Sequence, residues 1–372
     1  MMISGGSSFR KRRLCVITPS HWSGSYGGAE YQTKLLVDEI IRQGEHDLTY
    51  ISKNIDANFS PVDYRIRKIA SGNLSRKIGK LLDSRQLYSL LEDADPDVIY
   101  QRVGCAYTGV AAYYAKKKRR RMIWHVSSDA DVLQEHPDKK FSGFPMMHRL
   151  EKRLLDYGIR NSDYIITQTR RQSDLLSSNY GRQAGIIVPN YQPIPNVVRK
   201  DGSPINVLWI SNLKPMKRPD IFLRLARDLA SADVIFTMIG RASESRWVRP
   251  LLREIQQGGY VHYLGERPQE EVDEIMASSH ILVNTSSYEG FPNTFIQAWL
   301  RQTSVVSLNV DPDNVLKTQN VGFQAETYDR LRACVEKLAS DWELRQAMGM
   351  RARAYAIKQH SLGNIQKIIE VL

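Results

Sequence analysis

The 372-residue chain is longer than a single hydrophobic core usually supports, so two domains are expected. Its content of 42% hydrophobic and 25% charged residues is ordinary for a globular protein. No apolar run approaches the roughly 18 residues of a membrane-spanning helix, and the amino terminus lacks the apolar segment of a secretory signal. The three cysteines, Cys15, Cys105 and Cys334, are far apart and lack metal-ligand spacing, which predicts reduced thiols in a cytoplasmic protein.

The net charge of +12 is unevenly placed, since most of the excess lies in residues 1–196. Two basic runs, residues 10–13 and 116–121, supply much of it. The second run follows a predicted helix, where it could complement the helix dipole and stay solvated. The competing interpretation is attraction to anionic lipid headgroups. No nucleic-acid-binding module accompanies the charge, so a nucleic-acid partner is not expected.

Short apolar strands alternate with helical segments from the start of the chain, which predicts parallel sheets built from βαβ units. In the first half we predict helices over residues 29–43, 75–91 and 107–117. The predicted strands of this half are residues 14–18, 48–52, 65–69, 98–101, 122–126, 164–167 and 186–188. A proline-rich connector follows at residues 189–204.

The alternation then begins again, and the last segment, from residue 341, is predicted to be helical with a break around residues 361–363. The predicted strands of this half are residues 207–210, 234–239, 261–264, 281–283 and 304–308. The fold class is therefore α/β, with two doubly wound, Rossmann-like parallel-sheet domains facing a central cleft. We predict domains over residues 1–196 and 197–355, and a terminal helix over 356–372 that packs on the first domain. Ligands of such sheets bind outside the carboxyl ends of the strands, so the cleft is the expected site.

The segment NTSSYEGFPNTFI, residues 284–296, combines a strand end, a polar loop and a predicted helix start near Pro292. Proline suits the first helical turn, and the amides of residues 293–295 would be unpaired and available to a phosphate. Glu289 is better suited to accepting hydrogen bonds from sugar hydroxyls than to binding a phosphate. The alternative is an ordinary strand–loop–helix unit with a solvated carboxylate. A phosphate site beside a hydroxyl acceptor favours a sugar nucleotide as ligand.

Three other loops at predicted strand ends carry candidate groups, each with a structural alternative. Gly27 and Gly28 precede the first helix, where they either admit a ligand close to the backbone or simply form a tight turn. Lys217 is predicted to open a helix and could neutralise a diphosphate leaving group, although such a lysine is often merely exposed. His125 ends a strand shortly before Asp129 and could be catalytic or structural.

The motifs that matter occur in a fixed order along the chain. They are GGAE at 27–30, DPDVIYQR at 95–102, HVSSDAD at 125–131, DYIITQT at 163–169, VPN at 188–190, VLWISNLKPMKRPDIFLRLA at 207–226, MIG at 238–240, HYLG at 262–265 and NTSSYEGFPNTFIQAW at 284–299. Together, in this order and over nearly the whole chain, they resemble the family-4 retaining glycosyltransferases (glycosyl transferases group 1), which have the GT-B fold.

The resemblance implies transfer of a sugar from a nucleotide-diphosphate sugar to an acceptor hydroxyl with retention of configuration. It implies a role in surface polysaccharide, lipopolysaccharide or glycolipid biosynthesis, with a glycan or lipid-linked acceptor. No cofactor and no metal ion are expected, because cations and backbone amides hold the diphosphate in this family. With the basic runs, it also implies a cytoplasmic protein that lies peripherally on the anionic inner face of the plasma membrane.

Carried over by position, the resemblance implies roles for the following residues. The expected catalytic residues are His125, Glu289 and Lys217. The expected donor-binding residues are Gly27, Gly28, Asn212, Lys217, Gly240, Arg267, Glu289, Gly290, Phe291, Pro292, Asn293, Thr294 and Gln297, with amides of Gly290 to Thr294 facing sugar and phosphate. The expected acceptor-side residues are His21, Arg102 and Asp129.

The chain departs from the family pattern at several positions. The second glutamate of the E-x7-E motif is Gln297, which loses a charge-assisted bond to ribose and predicts donor binding weaker by ~1 kcal/mol, roughly fivefold. The usual Gly-Arg before the lysine turn is Ser211-Asn212, so one cation is absent, and Lys214 or Arg218 could replace it. Gln302 and Ser304 stand where the family has glycine and proline, which affects only the local turn.

These departures keep an alternative function open, a donor-impaired homologue that serves as a binding or scaffold subunit. A third class, a GT-B epimerase or phosphorylase, is less favoured, because no lysine segment indicates a bound pyridoxal cofactor.

Overall fold

The computed structural model describes residues 10–25, 27–70, 81–134, 145–195, 200, 202–243 and 245–372. The chain divides into two compact units, one formed by Met1–Val188 with Ile365–Leu372 and the other by Pro189–Asn364. The start of the helix predicted at 75–91 and part of the connector predicted at 189–204 lie outside the described residues. In the described part of the chain, none of the helices has the length and apolar character that crossing a bilayer requires.

The first unit is built on a seven-stranded parallel sheet in the order β3-β2-β1-β4-β5-β6-β7. Its central strands are continuous apolar runs, as expected for strands covered on both faces. The strands are β1 (Arg12–Ile17), β2 (His46–Ser52), β3 (Arg65–Lys68), β4 (Val98–Arg102), β5 (Arg121–His125), β6 (Tyr164–Thr167) and β7 (Ile186–Ile187).

Six helices of the first unit connect these strands in the described part of the chain, and α14 returns to this unit from the end of the sequence. Several end in a residue with left-handed backbone, such as Gly44 after α1 and Gly181 after α6, a common way to stop a helix. The helices are α1 (Gly28–Gln43), α2 (Ser84–Ala94), α3 (Ala106–Lys118), α4 (Asp129–Val132), α5 (Pro145–Asn161), α6 (Arg170–Tyr180) and α14 (Gly363–Ile369).

Helices α3 and α5 cross in direct backbone contact. A Cβ atom on Gly109 would overlap the backbone of Leu154, and one on Gly158 would overlap the backbone of Thr108 and Gly109. Both positions therefore require glycine because no side chain fits between the two helices. Leu155 and Ile159 of α5 are buried in the core beneath the crossing.

The second unit contains a six-stranded parallel sheet in the order β10-β9-β8-β11-β12-β13. Counted from its own first strand, this is the order 3-2-1-4-5-6 of dinucleotide-binding sheets. The strands are β8 (Ile205–Ile210), β9 (Val234–Ile239), β10 (His262–Tyr263), β11 (Ile281–Asn284), β12 (Ser304–Ser307) and β13 (Gly322–Gln324).

Seven helices accompany this sheet in the described residues. The helix that follows β11 is short and almost entirely buried, whereas α13 is the longest of the unit and begins with an Asp341 cap that accepts from the Leu344 amide. The helices are α7 (Pro219–Leu229), α8 (Val248–Gly258), α9 (Gln269–Ser278), α10 (Asn293–Leu300), α11 (Val315–Thr318), α12 (Tyr328–Ser340) and α13 (Trp342–Gln359).

The structure confirms the α/β class and the two doubly wound parallel sheets. Two details differ from expectation. The helix predicted at 75–91 runs instead from Ser84 to Ala94 in the described residues, because Asp95 adopts left-handed backbone with φ of 37° and ends it. Strand β13 was not predicted, since three residues give no periodic pattern. The predicted break in the last helical segment is confirmed, as α13 ends at Gln359 and α14 begins at Gly363.

Candidate functional site

The second unit has a topological switch point between β8 and β11, which pair side by side although β9 and β10 separate them in sequence. The chain leaves these two strands toward opposite sides of the sheet, which opens a crevice at their carboxyl ends. The loop after β8, residues 211–218, and the loop after β11, residues 285–292, flank this crevice. The predicted motifs that contain Lys217 and Glu289 therefore lie at the position where such sheets bind ligands.

The loop after β8 presents Lys217 at the end of a short 3-10 turn, Pro215–Lys217. Arg218 then adopts left-handed backbone, with φ of 48° and ψ of 56°, and α7 begins at Pro219. The prediction that Lys217 opens a helix is therefore wrong. The left-handed residue interrupts the turn, and a proline at the first helical position starts a new helix without needing its missing N–H.

Two hydrogen bonds join the two loops, and a third fixes the Thr285 side chain that forms one of them. The Thr285 hydroxyl donates to the carbonyl oxygen of Lys217 at 2.6 Å, and the Ser287 amide donates to the carbonyl oxygen of Met216 at 2.8 Å. The buried indole of Trp209, on β8, donates to the Thr285 hydroxyl at 2.9 Å. These bonds fix the backbone that carries Lys217 relative to the loop that carries Glu289.

Glu289 accepts contacts from the charged and polar side chains around it. Its Oε1 lies 2.8 Å from Lys217 Nζ and accepts from Ser286 Oγ at 2.6 Å and from Asn284 Nδ2 at 3.0 Å. The two charged side chains are only 17% and 19% exposed. Burial alone would raise the pKa of Glu289, but the Lys217 ammonium and the two hydrogen bonds outweigh it and lower the pKa below its ordinary value.

All three donors converge on one oxygen of the carboxylate. In the described part of the chain no hydrogen bond to Glu289 Oε2 is found, so this oxygen is available to accept from a ligand. The carboxylate is thus ionised and fixed in orientation, and only one of its two oxygens accepts hydrogen bonds from described residues. These properties suit an acceptor for a ligand hydroxyl.

Helix α10 begins just beyond, with Pro292 as its N-cap and without a side-chain cap. Two expectations need correction here. Pro292 cannot supply an amide, because it has no N–H, and the Phe295 amide already donates to the Pro292 carbonyl at 3.1 Å. Of the predicted donors, Gly290 and Thr294 have backbone amides for which no hydrogen bond is found among the described residues.

Gln297 lies one turn into α10 and is 7% exposed. Its backbone carbonyl accepts from Arg301 Nη1 at 3.1 Å, whereas its side-chain amide makes no hydrogen bond to any described residue. The amide therefore keeps its donors and its acceptor for another group.

The loops after β9 and β10 complete this edge of the sheet. Gly240 has φ of +151°, and a Cβ there would overlap the Ser211 carbonyl, so glycine is required. Its amide donates to the Gly265 carbonyl at 2.9 Å, and its carbonyl accepts from Tyr263 Oη at 2.7 Å.

The two remaining predicted donor residues differ in their environment. Asn212 Oδ1 accepts from the Arg241 amide at 3.3 Å and so braces the loop after β8. Arg267 is exposed, with Nε 3.5 Å from Glu271 Oε2, a surface pair one helical turn apart.

In the first unit, His125 and Arg102 lie opposite each other on β5 and β4 and are fully buried. Tyr100 Oη lies 2.6 Å from His125 Nδ1. His125 Nε2 is buried and has no partner among the described residues. Burial, and then the nearby Arg102 charge, hold the pKa of His125 well below its usual range, so the imidazole is neutral.

His21 is enclosed by aromatic rings, including Trp22, Tyr50 and Phe59. Its Nδ1 lies 2.8 Å from Ser23 Oγ and its Nε2 lies 3.1 Å from Tyr64 Oη. Burial lowers the pKa of His21 to about 4. Both ring nitrogens are used within the protein, so an acceptor contact would have to replace one of these bonds.

Gly27 is the N-cap of α1 and Gly28 its first residue. A Cβ on Gly27 would overlap the Glu30 carboxylate, which lies over the helix start. The helix beginning is therefore close-packed against an acidic side chain of its own first turn.

Asp129 is held by the protein, since Oδ2 accepts from Arg171 Nε at 2.9 Å and Oδ1 accepts from Gln172 Nε2 at 3.2 Å. Asp131 Oδ2 accepts from the amides of Ser127 and Ser128 and fixes the loop after β5. Among the described residues, no group of three or more His, Cys, Asp and Glu side chains could hold a metal ion.

The basic run at residues 116–121 is largely engaged with neighbouring groups. Arg120 forms ion pairs with Asp95 and Asp97, which Arg13 also contacts. Of the other cations, Lys116 donates to Asn161, Lys117 lies over the Tyr88 ring, Lys118 pairs with Glu92, and Arg121 lies over the Tyr164 ring. These contacts favour the solvated helix end over lipid attraction for this run.

The structure also reveals supporting contacts that the sequence did not indicate. Asn190 Nδ2 donates to the Phe291 carbonyl at 3.0 Å, and the Asn190 carbonyl lies 2.7 Å from His360 Nδ1. The ring centroids of Phe291 and His360 are 4.6 Å apart. This cluster and the Asn284–Ser286 pair hold the loops of the candidate site in position. In the sequence, the only indication of these contacts is a polar residue at a strand end.

Residues 190–355 match the family model described as Glycosyl transferases group 1. A curated relative, the D-inositol 3-phosphate glycosyltransferase of Rhodococcus jostii (strain RHA1), is 24% identical over 41% of this chain. The match spans only 38% of that relative's length.

Similar solved structures cover nearly the whole chain. Anabaena Alr3699/HepE in complex with UDP-glucose has a TM-score of 0.76 at 17% identity, with 97% of this chain and 99% of that chain covered. WaaG, a glycosyltransferase involved in lipopolysaccharide biosynthesis, has a TM-score of 0.74 at 15% identity, with 96% and 99% covered. These similarities confirm the expected GT-B fold with two parallel-sheet α/β units.

Proposed function

We propose that this protein is a retaining glycosyltransferase that moves a sugar from a nucleotide-diphosphate sugar to an acceptor hydroxyl. The observation that carries the proposal is the position of Lys217 and Glu289 on the two loops of the switch point, beside the uncapped start of α10. A cation, an open carboxylate oxygen and helix-start amides are the groups that a diphosphate and a sugar need side by side. The matching family model and the similar solved structures support the same function.

In this proposal the bond between the anomeric carbon and the diphosphate oxygen breaks, and the acceptor oxygen forms a new bond on the same face of the sugar. The acceptor hydroxyl passes its proton to the leaving diphosphate oxygen, and the nucleoside diphosphate leaves with the bonding electron pair. Lys217 and the α10 amides stabilise the charge that develops on the leaving diphosphate. Glu289 Oε2 orients the sugar through its hydroxyls, and the Gln297 amide accepts from the ribose.

The first unit contributes His125, whose neutral ring has one nitrogen fixed by Tyr100. In our proposal the other nitrogen contacts the reacting groups of the sugar and the acceptor. The acceptor is a glycan or a lipid-linked sugar of surface polysaccharide, lipopolysaccharide or glycolipid assembly. The diphosphate is held without a metal ion, and the protein works at the cytoplasmic face of an anionic membrane.

The test is a thermal-shift and calorimetric screen against UDP, GDP and ADP, followed by their sugars, and then an assay of nucleoside diphosphate release. We expect one nucleotide to stabilise the protein, its sugar to support turnover, and proton NMR of the product to show the donor's anomeric configuration. Product of inverted configuration would contradict the retaining mechanism, and failure of every nucleotide to bind would contradict the function as a whole.

The second candidate function is a binding or scaffold subunit that retains the fold but not efficient transfer. Gln297 and Asn212 favour it, because a charge that the family pattern has is missing at each position. Nucleotide binding without release of nucleoside diphosphate from any sugar nucleotide, with acceptors present, would favour this candidate.

A further inference from the structure

The second unit contains a cavity of about 310 Å³ beside the beginning of α7. Its wall includes residues from three segments that follow parallel strands, namely Arg218 after β8, Asn309 after β12 and Glu326 after β13. Since the carboxyl ends of parallel strands meet at one edge of a sheet, the cavity lies at the same edge as the candidate site. Ligand sites of proteins range from ~300 to ~1,000 Å³, so this cavity suits a small ligand.

The cavity is separate from the groups proposed to bind the diphosphate. Helices α7 and α10 lie on opposite sides of the sheet, because they follow the two strands of the switch point. The cavity is on the α7 side, whereas the amides proposed to bind the diphosphate belong to α10. Arg218 directly follows Lys217, and Asn309 Nδ2 donates to the Ser286 carbonyl at 3.5 Å. The cavity therefore borders the two loops that carry Lys217 and Glu289 without containing either side chain.

Two residues of the cavity wall have backbone conformations that disfavour a side chain. Arg218 has φ of 48° and Glu326 has φ of 64°, both in the left-handed region. Glycine adopts this region without strain, whereas a Cβ atom makes it unfavourable. A residue other than glycine at such a position indicates that its side chain has a use. Both side chains line the same cavity, which is where that use is expected.

The charged groups of the cavity wall are balanced and only loosely paired. Arg218 and Arg224 contribute guanidinium groups, whereas Asp220 and Glu326 contribute carboxylates. The side chains of Arg218 and Asp220 approach only to 3.8 Å. Glu326 pairs with Arg330 at 3.2 Å, and both of these side chains are more than half exposed. Exposed pairs of this kind contribute little stability, so a ligand can replace them.

Apolar groups form the remainder of the wall. Ile221 and Leu308 are buried, with 8% and 4% of their surface exposed. Tyr328 contributes an aromatic ring, which is held in place because the Arg224 guanidinium lies 3.7 Å over its centroid and its hydroxyl donates to Asp228. The cavity therefore offers an apolar surface beside hydrogen-bond donors and acceptors.

We propose that this cavity binds one neutral sugar ring of a glycan. A sugar ring has C–H groups on its faces and hydroxyls around its edge, and each hydroxyl both donates and accepts hydrogen bonds. The hydroxyls would donate to the two carboxylates and accept from the guanidinium groups, while the ring packs on the apolar wall. An anion would face two carboxylates and a cation would face two guanidinium groups, so a neutral ligand rich in hydroxyls fits best.

The inference goes beyond the proposed function, because the cavity is separate from the groups that bind the donor. It rests on that function only for the origin of the ring, which we assign to the glycan acceptor. A ring that borders the loops of Lys217 and Glu289 would lie close to the transferred sugar. Saccharide binding itself requires neither nucleotide nor turnover.

The test is saturation-transfer NMR of the full chain with methyl glycosides of glucose, galactose, mannose and N-acetylglucosamine. We expect at least one of them to bind with a dissociation constant on the order of 1 mM, because one ring makes few contacts. Glu326→Gly should weaken this binding at least about tenfold, since it removes a charged hydrogen-bond acceptor. It should not lower the thermal midpoint, because glycine relieves the left-handed backbone.

Asn320→Gly is the matched control, because Asn320 is also an exposed residue with left-handed backbone, φ of 52°, but lies outside the cavity. It should leave saccharide binding unchanged. Glu289→Ala tests whether the saccharide binds at the donor position instead, and it should also leave binding unchanged. Equal binding by Glu326→Gly and Asn320→Gly, or loss of binding in Glu289→Ala alone, would overturn the proposal.

Orthophosphate is the competing probe for an anion site. Phosphate binding that is weakened by Arg224→Gln and strengthened by Glu326→Gly would identify such a site and overturn the proposal. Binding of no saccharide at all would do the same.

The origin of the ring is tested by nucleoside diphosphate release. The saccharide that binds should accelerate release, and Glu326→Gly should raise the saccharide concentration required about tenfold, in line with the lost hydrogen bond, while the KM of the donor stays unchanged. Binding without acceleration would overturn the assignment of the ring to the acceptor. Saccharide binding by a protein that binds no nucleotide would keep the cavity as a saccharide site and remove the proposed function. Nucleoside diphosphate release without saccharide binding would do the reverse.

Discussion

Lys217 Nζ lies 2.8 Å from Glu289 Oε1, so the cation and the carboxylate of the candidate site form one ion pair. The sequence suggests separate tasks for them, one on the diphosphate and one on the sugar. Their contact means that removing either changes the other, since truncating one partner of a poorly exposed pair leaves an uncompensated charge. Single substitutions at the two positions should therefore not be additive.

Glu289→Ala should reduce transfer at least about 100-fold, because a misplaced sugar loses the alignment on which the reaction depends. Nucleoside diphosphate release under saturating donor is the measurement, with circular dichroism to confirm the fold. Glu343→Ala, at an exposed position of α13, is the control and should retain full activity. A folded Glu289→Ala protein with near-wild-type turnover would remove Glu289 from the site.

Gln297→Glu should tighten binding of the nucleotide by up to ~1 kcal/mol, because a carboxylate strengthens a hydrogen bond from a ribose hydroxyl. The Gln297 amide makes no hydrogen bond to any described residue, so the exchange breaks none in this region. Isothermal titration with the preferred nucleotide measures the change. Equal or weaker affinity would mean that Gln297 does not face the ribose.

Transfer should continue in excess EDTA, because in our proposal Lys217 and backbone amides hold the diphosphate. Asp129 and Asp131, which lie in the short helix α4 after β5, already accept hydrogen bonds from neighbouring residues. Loss of turnover on chelation with recovery in Mg²⁺ or Mn²⁺ would contradict the metal-free mechanism.

Asn190→Ala should weaken donor binding several-fold without unfolding the protein, because it removes the 3.0 Å hydrogen bond to the Phe291 carbonyl. A positioning role predicts a raised KM with a smaller change in kcat. Asn190→Asp is a stricter probe, since a carboxylate cannot donate to that carbonyl and should give a similar effect. Unchanged KM in both variants would show that the Phe291 loop is held by other contacts.

Stability should fall as pH decreases from about 6.5 to about 4. Burial lowers the pKa of both His21 and His360 to about 4, whereas the unfolded chain has histidines near 6.5. The unfolded state therefore binds more protons in this interval, so stability that is present above pH 6.5 is lost progressively, up to roughly 3 kcal/mol per histidine.

Thermal midpoints measured across this pH range test the effect. His360→Gln should flatten the pH dependence although it lowers stability overall, whereas His262→Gln, an exposed histidine on β10, should leave the slope unchanged. A slope unaffected by His360→Gln would assign the acid sensitivity to other groups.

The parts of the fold that the sequence predicts are those with strong local patterns. Continuous apolar runs such as residues 281–283 of β11 predict a strand covered on both faces from residue composition alone. The short 3-10 turn ending at Lys217 was not predicted, because left-handed backbone at Arg218 depends on tertiary bonds such as that from Thr285 to the Lys217 carbonyl. Local propensity contains no information on such bonds.

The sequence predicted which residues form the candidate site, but it did not predict which of them contact each other. Glu289 and Lys217 each followed from a motif, while their contact depends on β8 and β11 being neighbours in the sheet. The cluster of Asn190, Phe291 and His360 joins residues that are up to 170 positions apart. Such long-range pairs become evident only when the topology is known.

The glycine crossing of α3 and α5 determines how helix α5 can move. Because Gly109 and Gly158 leave no side chain between the helices, no side chains at the crossing can change rotamer to let α5 tilt or slide. A displacement of α5 would therefore also displace α3, whose backbone it contacts. In hydrogen exchange, amides of α5 near Gly158 should therefore open together with those of α3 as one cooperative segment rather than fray as an independent helix.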